Sequence, residues 1–392
     1  MRESDYQSGE RSKHHNTNLH IVHYSKLEKG GGGVDTWMRY FIPNLLELGP
    51  WDETSLRLYS RQESPSSYSL PLQKHFRAKD AKFAGVLAPL GFISQVSREI
   101  STQSQPGDVI ILVGTQVTAP VPWLLALKRR LTFVTWIRDI SPYSLLSKRG
   151  RLASVVASML EWLIFKKSDL LITNGHDTTN HYTRRFPNRR IATVPNAVDV
   201  DAISPGIPSE RHTPIRVGFV GRFVLAKGAA LFADAAREMA GDPSVAFHVY
   251  GPVGQDFLRQ HDIKAAPISF HGPYDSAEVG TVLRNLDVII FVNRFGTGGC
   301  AGLSHGLLEA LAYGSVILAA DNPIHTQVLN TSNAVLFEDS TKGLVNAINT
   351  VKEMSSDQFR QLQASARRTA EEHSIEKHIQ GFLTALQSLR AK

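Results

Sequence analysis

The chain has 392 residues, enough for two or three domains with real cores. Its apolar share of 42% and charged share of 20% are those of an ordinary globular protein, and no apolar run of about 18 residues marks a membrane-spanning helix. One cysteine excludes an internal disulfide and argues against a cysteine-built metal site, which suits a reducing cytoplasm. The net charge of +7 suits an anionic substrate, or peripheral contact with the anionic inner face of a membrane. No basic stripe with interleaved aromatics is present, so nucleic acid is not an expected partner.

Residues 1–18 are polar, lack the apolar core of a secretory leader, and read as a disordered tail. Residues 19–25, LHIVHYS, read as a buried strand that runs into four glycines, Gly30 to Gly33, and an amphipathic helix over 34–48. Strand, glycine loop and helix suit close approach to a ligand at the carboxyl edge of a sheet, whereas a flexible linker is the plainer alternative. Neither the spaced dinucleotide fingerprint nor a Walker lysine is present. Further strands are expected at 56–61, 108–114, 131–139, 169–175 and 190–196, with helical patterns between most of them, including 121–130 and 151–168. Such alternation argues a parallel sheet covered on both faces. The 151–168 segment carries Leu152, Val155, Val156, Met159, Leu160, Leu163 and Ile164; its length and prompt return to a strand favour a core helix over a membrane-surface one. Arg138 and Asp139 end the third of these strands, where Arg138 can hold an acidic acceptor or a phosphate, or pair structurally. His20, His23, His176 and His181 show no metal-ligand spacing.

Residues 198–214 are polar and proline-rich and read as a linker. Beyond it strands are expected at 215–221, 245–251, 268–272, 287–293, 315–321 and 334–339, with helices opening at Ala226, near Phe257, at Asp275 and at Ser304. In VGFVGRFVLAKG, Arg222 follows the strand at once and Lys227 opens the next helix. Two cations flanking such a turn can clamp a diphosphate and neutralise its charge as it departs. In FGTGGCAGLSHGLLEALAYG, a glycine loop leads into a helix mouth suited to phosphate. Glu309 lies off the apolar stripe of Leu307, Leu308, Leu311 and Ala312, where a carboxylate can accept hydrogen bonds from a vicinal diol. A surface helix with a solvated glutamate is the alternative. Two doubly wound sheets joined by one linker turn their carboxyl edges toward each other, and the cleft between them is the expected site. The reading divides the chain into a tail (1–18), a first domain (19–197), a linker (198–214), a second domain (215–372) and a last helical segment (373–392), around Phe382, Leu383 and Leu386, that returns to the first domain.

Taken together, Gly221–Arg222 with Lys227–Gly228, VPNAVD at 194–199, FHG at 270–272, LLEALAYGSVILAAD at 307–321 and the N-terminal glycine loop resemble the retaining glycosyltransferases of family 4. These have the GT-B fold, two Rossmann-like α/β domains facing across a cleft. The likeness implies a nucleoside-diphosphate-sugar donor, no metal or other cofactor, and a hydroxyl of a polysaccharide or lipid-linked saccharide as acceptor. By the same likeness Arg222 and Lys227 grip the diphosphate and Glu309 binds the ribose hydroxyls. The stretch of His271, Gly272 and Tyr274 meets the base, and Gly32 and Gly33 face the phosphates and the acceptor. The family uses no protein nucleophile; the acceptor hydroxyl attacks on the face the diphosphate leaves, with the diphosphate as base.

Two positions depart from the family. A glutamate usual eight residues before the ribose-binding one is Ala301 here, and a histidine usual at the end of the TWIRD strand is Arg138. The departures imply either an unusual donor sugar, recognised in part by Arg138, Ser304 or the backbone amides of Gly302 and Leu303, or a chain that binds nucleotide sugar but transfers poorly. Retention of Arg222, Lys227 and Glu309 favours activity. The rivals are a non-catalytic nucleotide-sugar-binding subunit, or another GT-B enzyme such as an epimerase or a phosphorylase, for which no clear acid/base or cofactor-lysine pattern is present. Cys300 reads as a packing residue.

Overall fold

The computed structural model describes residues 17–24, 33–61, 73–76, 84–125, 130–206, 211–260, 266–275, 278–294, 296 and 300–389. The expected tail up to residue 16, Gly32, and residues 297–299 of the second glycine loop lie outside the described residues.

The continuous apolar runs of the sequence become strands buried on both faces, as a parallel sheet sandwiched by helices requires. The first sheet is ordered β3-β2-β1-β4-β5-β6-β7. It comprises β1 (Leu19–His23), β2 (Leu56–Arg61), β3 (Gln73–Phe76), β4 (Val109–Val113), β5 (Thr132–Ile137), β6 (Leu170–Thr173) and β7 (Ile191–Thr193). Around it lie α1 (Gly33–Leu48), α2 (Ala84–Gln103), α3 (Val121–Leu125), α4 (Ser141–Arg149), α5 (Arg151–Lys167) and α6 (His176–Arg185). The second sheet is ordered β10-β9-β8-β11-β12-β13. Its strands are β8 (Ile215–Val220), β9 (Val245–Tyr250), β10 (Ile268–Gly272), β11 (Val288–Phe291), β12 (Val316–Ala320) and β13 (Val335–Phe337). Its helices are α7 (Ala229–Glu238), α8 (Gln255–Leu258), α9 (Val279–Arg284), α10 (His305–Tyr313), α11 (Thr341–Glu353) and α12 (Ser356–Glu371), and α13 (Ile375–Gln387) follows. Every strand pairing is parallel. In each sheet the chain winds outward through three strands and then returns to the other side of the first, so each has a switch point, between β1 and β4 and between β8 and β11, where ligands of such sheets bind.

Several elements differ from the sequence reading. β3 and α2 were not expected, because β3 (QKHF) is a polar edge strand without apolar alternation and α2 carries an internal Pro89. The turn expected to open a helix at Ala226 is a 3-10 turn, Leu225–Lys227, and α7 begins at Ala229. Gly228 separates them with φ +87°, and a Cβ there would lie 2.4 Å from Val292 Cβ, so the break is dictated by a glycine packed on the end of β11. α9 starts at Val279 rather than at Asp275.

The largest correction concerns α5. Ala157, Glu161, Ile164 and Phe165 are buried and Leu160 packs partly against the core, whereas Leu152, Val155, Val156, Met159 and Trp162 are exposed. The helix is apolar on both faces, so periodicity could not say which face is covered. The buried side tolerates Glu161 because Tyr182 Oη (2.6 Å) and Arg185 Nη1 (2.7 Å) donate to its carboxylate; burial still lifts it to about 7.

α13 lies on the first sheet. Its Ile379, Phe382 and Ala385 join Trp37, Phe41, Trp51 and Trp136 in one core cluster, with Phe382 stacked on Trp136 at 5.2 Å. Its His378 takes a hydrogen bond from Trp37 Nε1 (2.9 Å) and, from Nδ1, donates to the Pro195 carbonyl (2.6 Å). The start of the expected linker is fastened to the second domain, where Arg367 of α12 donates to the carbonyls of Val200, Ile203 and Ala312. No described helix is long and apolar enough to cross a membrane.

Candidate active site

A cavity of about 300 Å³ opens at the β8/β11 switch point. Arg222, Lys227, Tyr274, Ser304 and Glu309 of the second domain line it together with Gly33 of the first. Gly221 and Gly251, which follow β8 and β9, also line it and leave the strand ends bare of side chains.

Glu309 is not on a surface helix. α10 is buried on all sides, and Glu309 is itself only 8% exposed. Burial lifts its carboxyl to about 7, against the attraction of Lys227, which pulls it down. No described residue donates a hydrogen bond to it, so a buried carboxylate faces the cavity with its acceptor capacity unused. Lys227 is drawn below the ordinary lysine range, first by burial and then by Arg222; Cys300 and Glu309 oppose the shift. Arg222 is exposed at the rim. At the α10 mouth Ser304 has extended cap geometry, but its side chain does not cap the helix. The first-turn N–H groups therefore open on the cavity, which Ser304, His305 and Gly306 line.

The remaining expected residues divide. Tyr274 reaches the cavity, and Pro273 beside it does too. His271 does not: its ring is exposed, stacks on Tyr250 at 4.1 Å and places its Nε2 3.1 Å from Nδ1 of His248. Gly272 is also outside the lining and accepts a hydrogen bond from the Gly251 N–H at 2.7 Å. The amides of Gly302 and Leu303, expected near the donor sugar, are spent on the first domain instead. Gly302 N–H donates to Asp177 Oδ2 (2.7 Å), Leu303 N–H to the Asn174 carbonyl (3.1 Å), and Asn196 Nδ2 donates to the Leu303 carbonyl (2.5 Å). Gly302 is at φ +72°, and a Cβ would fall 2.1 Å from Asn174 Oδ1, so only glycine permits this approach. Asp177, raised by burial, and Asn174 thus latch the two domains beside the cleft. Ala301 packs against the first domain.

Arg138 stands one layer behind the cavity. Its guanidinium lies 4.4 Å over the Trp37 ring and its Nη2 is 3.4 Å from Nε2 of His305, a lining residue. Its Nε and Nη1 are shut from solvent without a hydrogen-bond partner, and burial pulls the group down to about 9. His305 is held down near 3, first by burial and then by Arg138 and His378, and is therefore neutral; His23, at the end of β1, is likewise held near 4. Cys300 directs its thiol toward the Ala226 carbonyl at 3.6 Å. The expectations made no use of His305, Asp177 or Asn174. His305 directly follows the expected helix cap, but its contacts with Arg138 and Gly33 come from distant sequence and carry no local signal.

Comparison with known proteins places this geometry. Residues 227–384 match the family model described as glycosyl transferase-like. The chain superposes on a sucrose-phosphate synthase from Thermosynechococcus elongatus with a TM-score of 0.75, at 16% identity, covering 95% of this chain and 99% of the other. It is similar to Anabaena HepE, solved in complex with UDP-glucose, with a TM-score of 0.71 at 16% identity over 95% of this chain and 99% of that one. A UDP-forming trehalose-phosphate synthase from Burkholderia xenovorans, at 13% identity, gives 0.68 over 94% and 100%. Residues 227–384 are a glycosyl transferase-like domain, and the chain has the GT-B fold. No curated protein is significantly similar in sequence. The domain so identified begins at Lys227 itself and contains Glu309 and the α10 mouth.

Proposed function

We propose that the protein is a retaining glycosyltransferase that moves a sugar from a nucleoside diphosphate to a hydroxyl of a polysaccharide or lipid-linked saccharide. The observation that carries this reading is the convergence of Arg222, Lys227 and Glu309 on one cavity at the sheet switch point. In this reading the ribose diol donates to Glu309 and the base lies by Pro273 and Tyr274. The diphosphate sits between Arg222, Lys227 and the N–H groups of α10. As the bond from the anomeric carbon to the phosphate oxygen breaks, both cations take up the charge that develops on the diphosphate. The acceptor hydroxyl forms the new glycosidic bond on the face the diphosphate leaves, and its proton passes to the departing phosphate oxygen. Charge neutralisation comes from these side chains, without a metal ion.

His305 lines the sugar or acceptor side with Arg138 behind it, where a neutral histidine backed by a buried guanidinium suits an acidic or phosphorylated group. UDP is the first nucleotide to test, since relatives of this fold have been solved with UDP and with UDP-glucose. Purified protein incubated with radiolabelled UDP- and GDP-sugars should release nucleoside diphosphate, and faster with a saccharide acceptor than without. Tight nucleotide-sugar binding with no release under any combination would replace the transferase by a non-catalytic binding subunit, which Ala301 in place of a carboxylate favours.

A further inference from the structure

Helices α3 to α5 present an apolar surface that no described part of the chain covers. Leu152, Val155, Val156 and Met159 recur at the spacing of one helix face, and with Trp162 they are between 47% and 80% exposed. Leu124 of α3 and Leu146 of α4 extend the surface. Trp123 Nε1 donates to the Leu163 carbonyl (3.0 Å), which ties α3 to α5. The rim is basic. Between residues 149 and 167 lie Arg149, Arg151, Lys166 and Lys167 and a single acid, Glu161, which is buried and paired. Lys166 and Lys167 place their ammonium groups 4.9 and 4.6 Å over the rings of Trp162 and Trp123, where apolar surface gives way to charge.

We propose that this face docks on an anionic lipid bilayer. An amphipathic helix with a wide apolar face, basic ends and tryptophans at the margin lies in the membrane interface, with its apolar side chains at the headgroup–acyl boundary and its cations among lipid phosphates. A second copy of the chain would bring four cations against four, so charge selects the lipid over self-association. The surface also reaches the cleft. Tyr143 of α4 contacts His181 of α6 (ring centroids 5.5 Å apart) and lies so close to Gly296 of the second glycine loop that a Cβ there would be 3.0 Å from its ring. Docking therefore brings the cleft mouth to the membrane. Resting on the transferase reading, this makes the acceptor lipid-linked, although docking itself is measured without turnover.

The test is flotation of the full-length protein with vesicles of phosphatidylcholine alone or mixed with phosphatidylglycerol, alongside tryptophan emission. Trp37, Trp51 and Trp136 are buried, so a blue shift on adding vesicles reports Trp123 and Trp162. The wild type should float with the mixed vesicles only and detach as salt rises. Met159→Ser with Trp162→Ser, and separately Lys166→Glu with Lys167→Glu, should each weaken this binding roughly tenfold or more, with melting temperature and UDP binding unchanged. A wild type that stays in the aqueous fraction with both lipids, or variants that float like it, would overturn the proposal. So would a concentration-dependent dimer that Trp162→Ser dissolves, since the face would then be a protein contact.

Discussion

Replacing Glu309 by glutamine should make the empty protein more stable and its hold on nucleotide weaker. The fold keeps this carboxyl at about 7, against 4.5 for an ordinary glutamate. At ~1.4 kcal/mol per pH unit, that gap costs about 3 kcal/mol of stability wherever the group must ionise. An acid with a raised folded value holds a proton in the native state that the unfolded chain has already lost. The penalty is therefore absent well below 4.5, grows as pH rises toward 7, and is complete above it. Glutamine removes the penalty but also deprives the buried Lys227 of its opposing charge, which cuts the gain to about 1–2 kcal/mol. Urea unfolding of both proteins at pH 5 and pH 8 measures it, and the advantage of the variant should be larger at pH 8. The ligand side has the opposite sign. Exchanging two charge-assisted acceptor bonds for one neutral bond should cost about 2 kcal/mol, or roughly 30-fold in UDP affinity by calorimetry. A variant less stable than wild type at pH 8 would refute the ionisation penalty, and one with undiminished UDP affinity would refute the placement of the ribose diol at this carboxylate.

Arg222→Ala and Lys227→Ala should each reduce transfer by about two orders of magnitude or more while circular dichroism stays native, since each removes a cation from the leaving diphosphate; near-normal turnover in either ends the clamp argument. Arg138→Met keeps an apolar stem over Trp37 but loses the charge, so kcat should fall with UDP affinity unchanged. Equal loss of UDP affinity would move Arg138 to the nucleotide side. Asp177→Ala strips the Gly302 N–H of its acceptor and should weaken the domain latch by about 1–3 kcal/mol, seen as faster hydrogen exchange at Gly302 and Leu303. Unchanged exchange there would mean that the contact holds nothing.

Much of the second domain is legible in its sequence, because runs such as VIIF and VILAA read as strands buried on both faces, and Gly221, Gly251 and Gly272 mark the carboxyl ends of β8, β9 and β10. The convergence of Arg222, Lys227 and Glu309 follows from that periodicity, since each lies at the same edge of the same sheet. The burial of Glu309 does not: it depends on Lys227 and Tyr274, from other elements of the domain, meeting it at the cavity, which no local pattern records. The same limit explains Gly302 and Leu303, whose amides look available in the sequence and are taken by Asp177 and Asn174 in the fold. For α5, residue types were read correctly and the covered face was not, because a helix apolar on both sides gives its burial no direction.

The placement of α13 has a consequence for how the polypeptide matures. Phe382 and His378 close the aromatic cluster of the first sheet, yet they are translated after the whole second sheet. A ribosome that has just finished residue 197 has made every strand of the first sheet but not the helix that seals Trp37, Phe41 and Trp136 from water. The later-made sheet can thus complete its packing first, leaving the earlier one dependent on the final helix to finish.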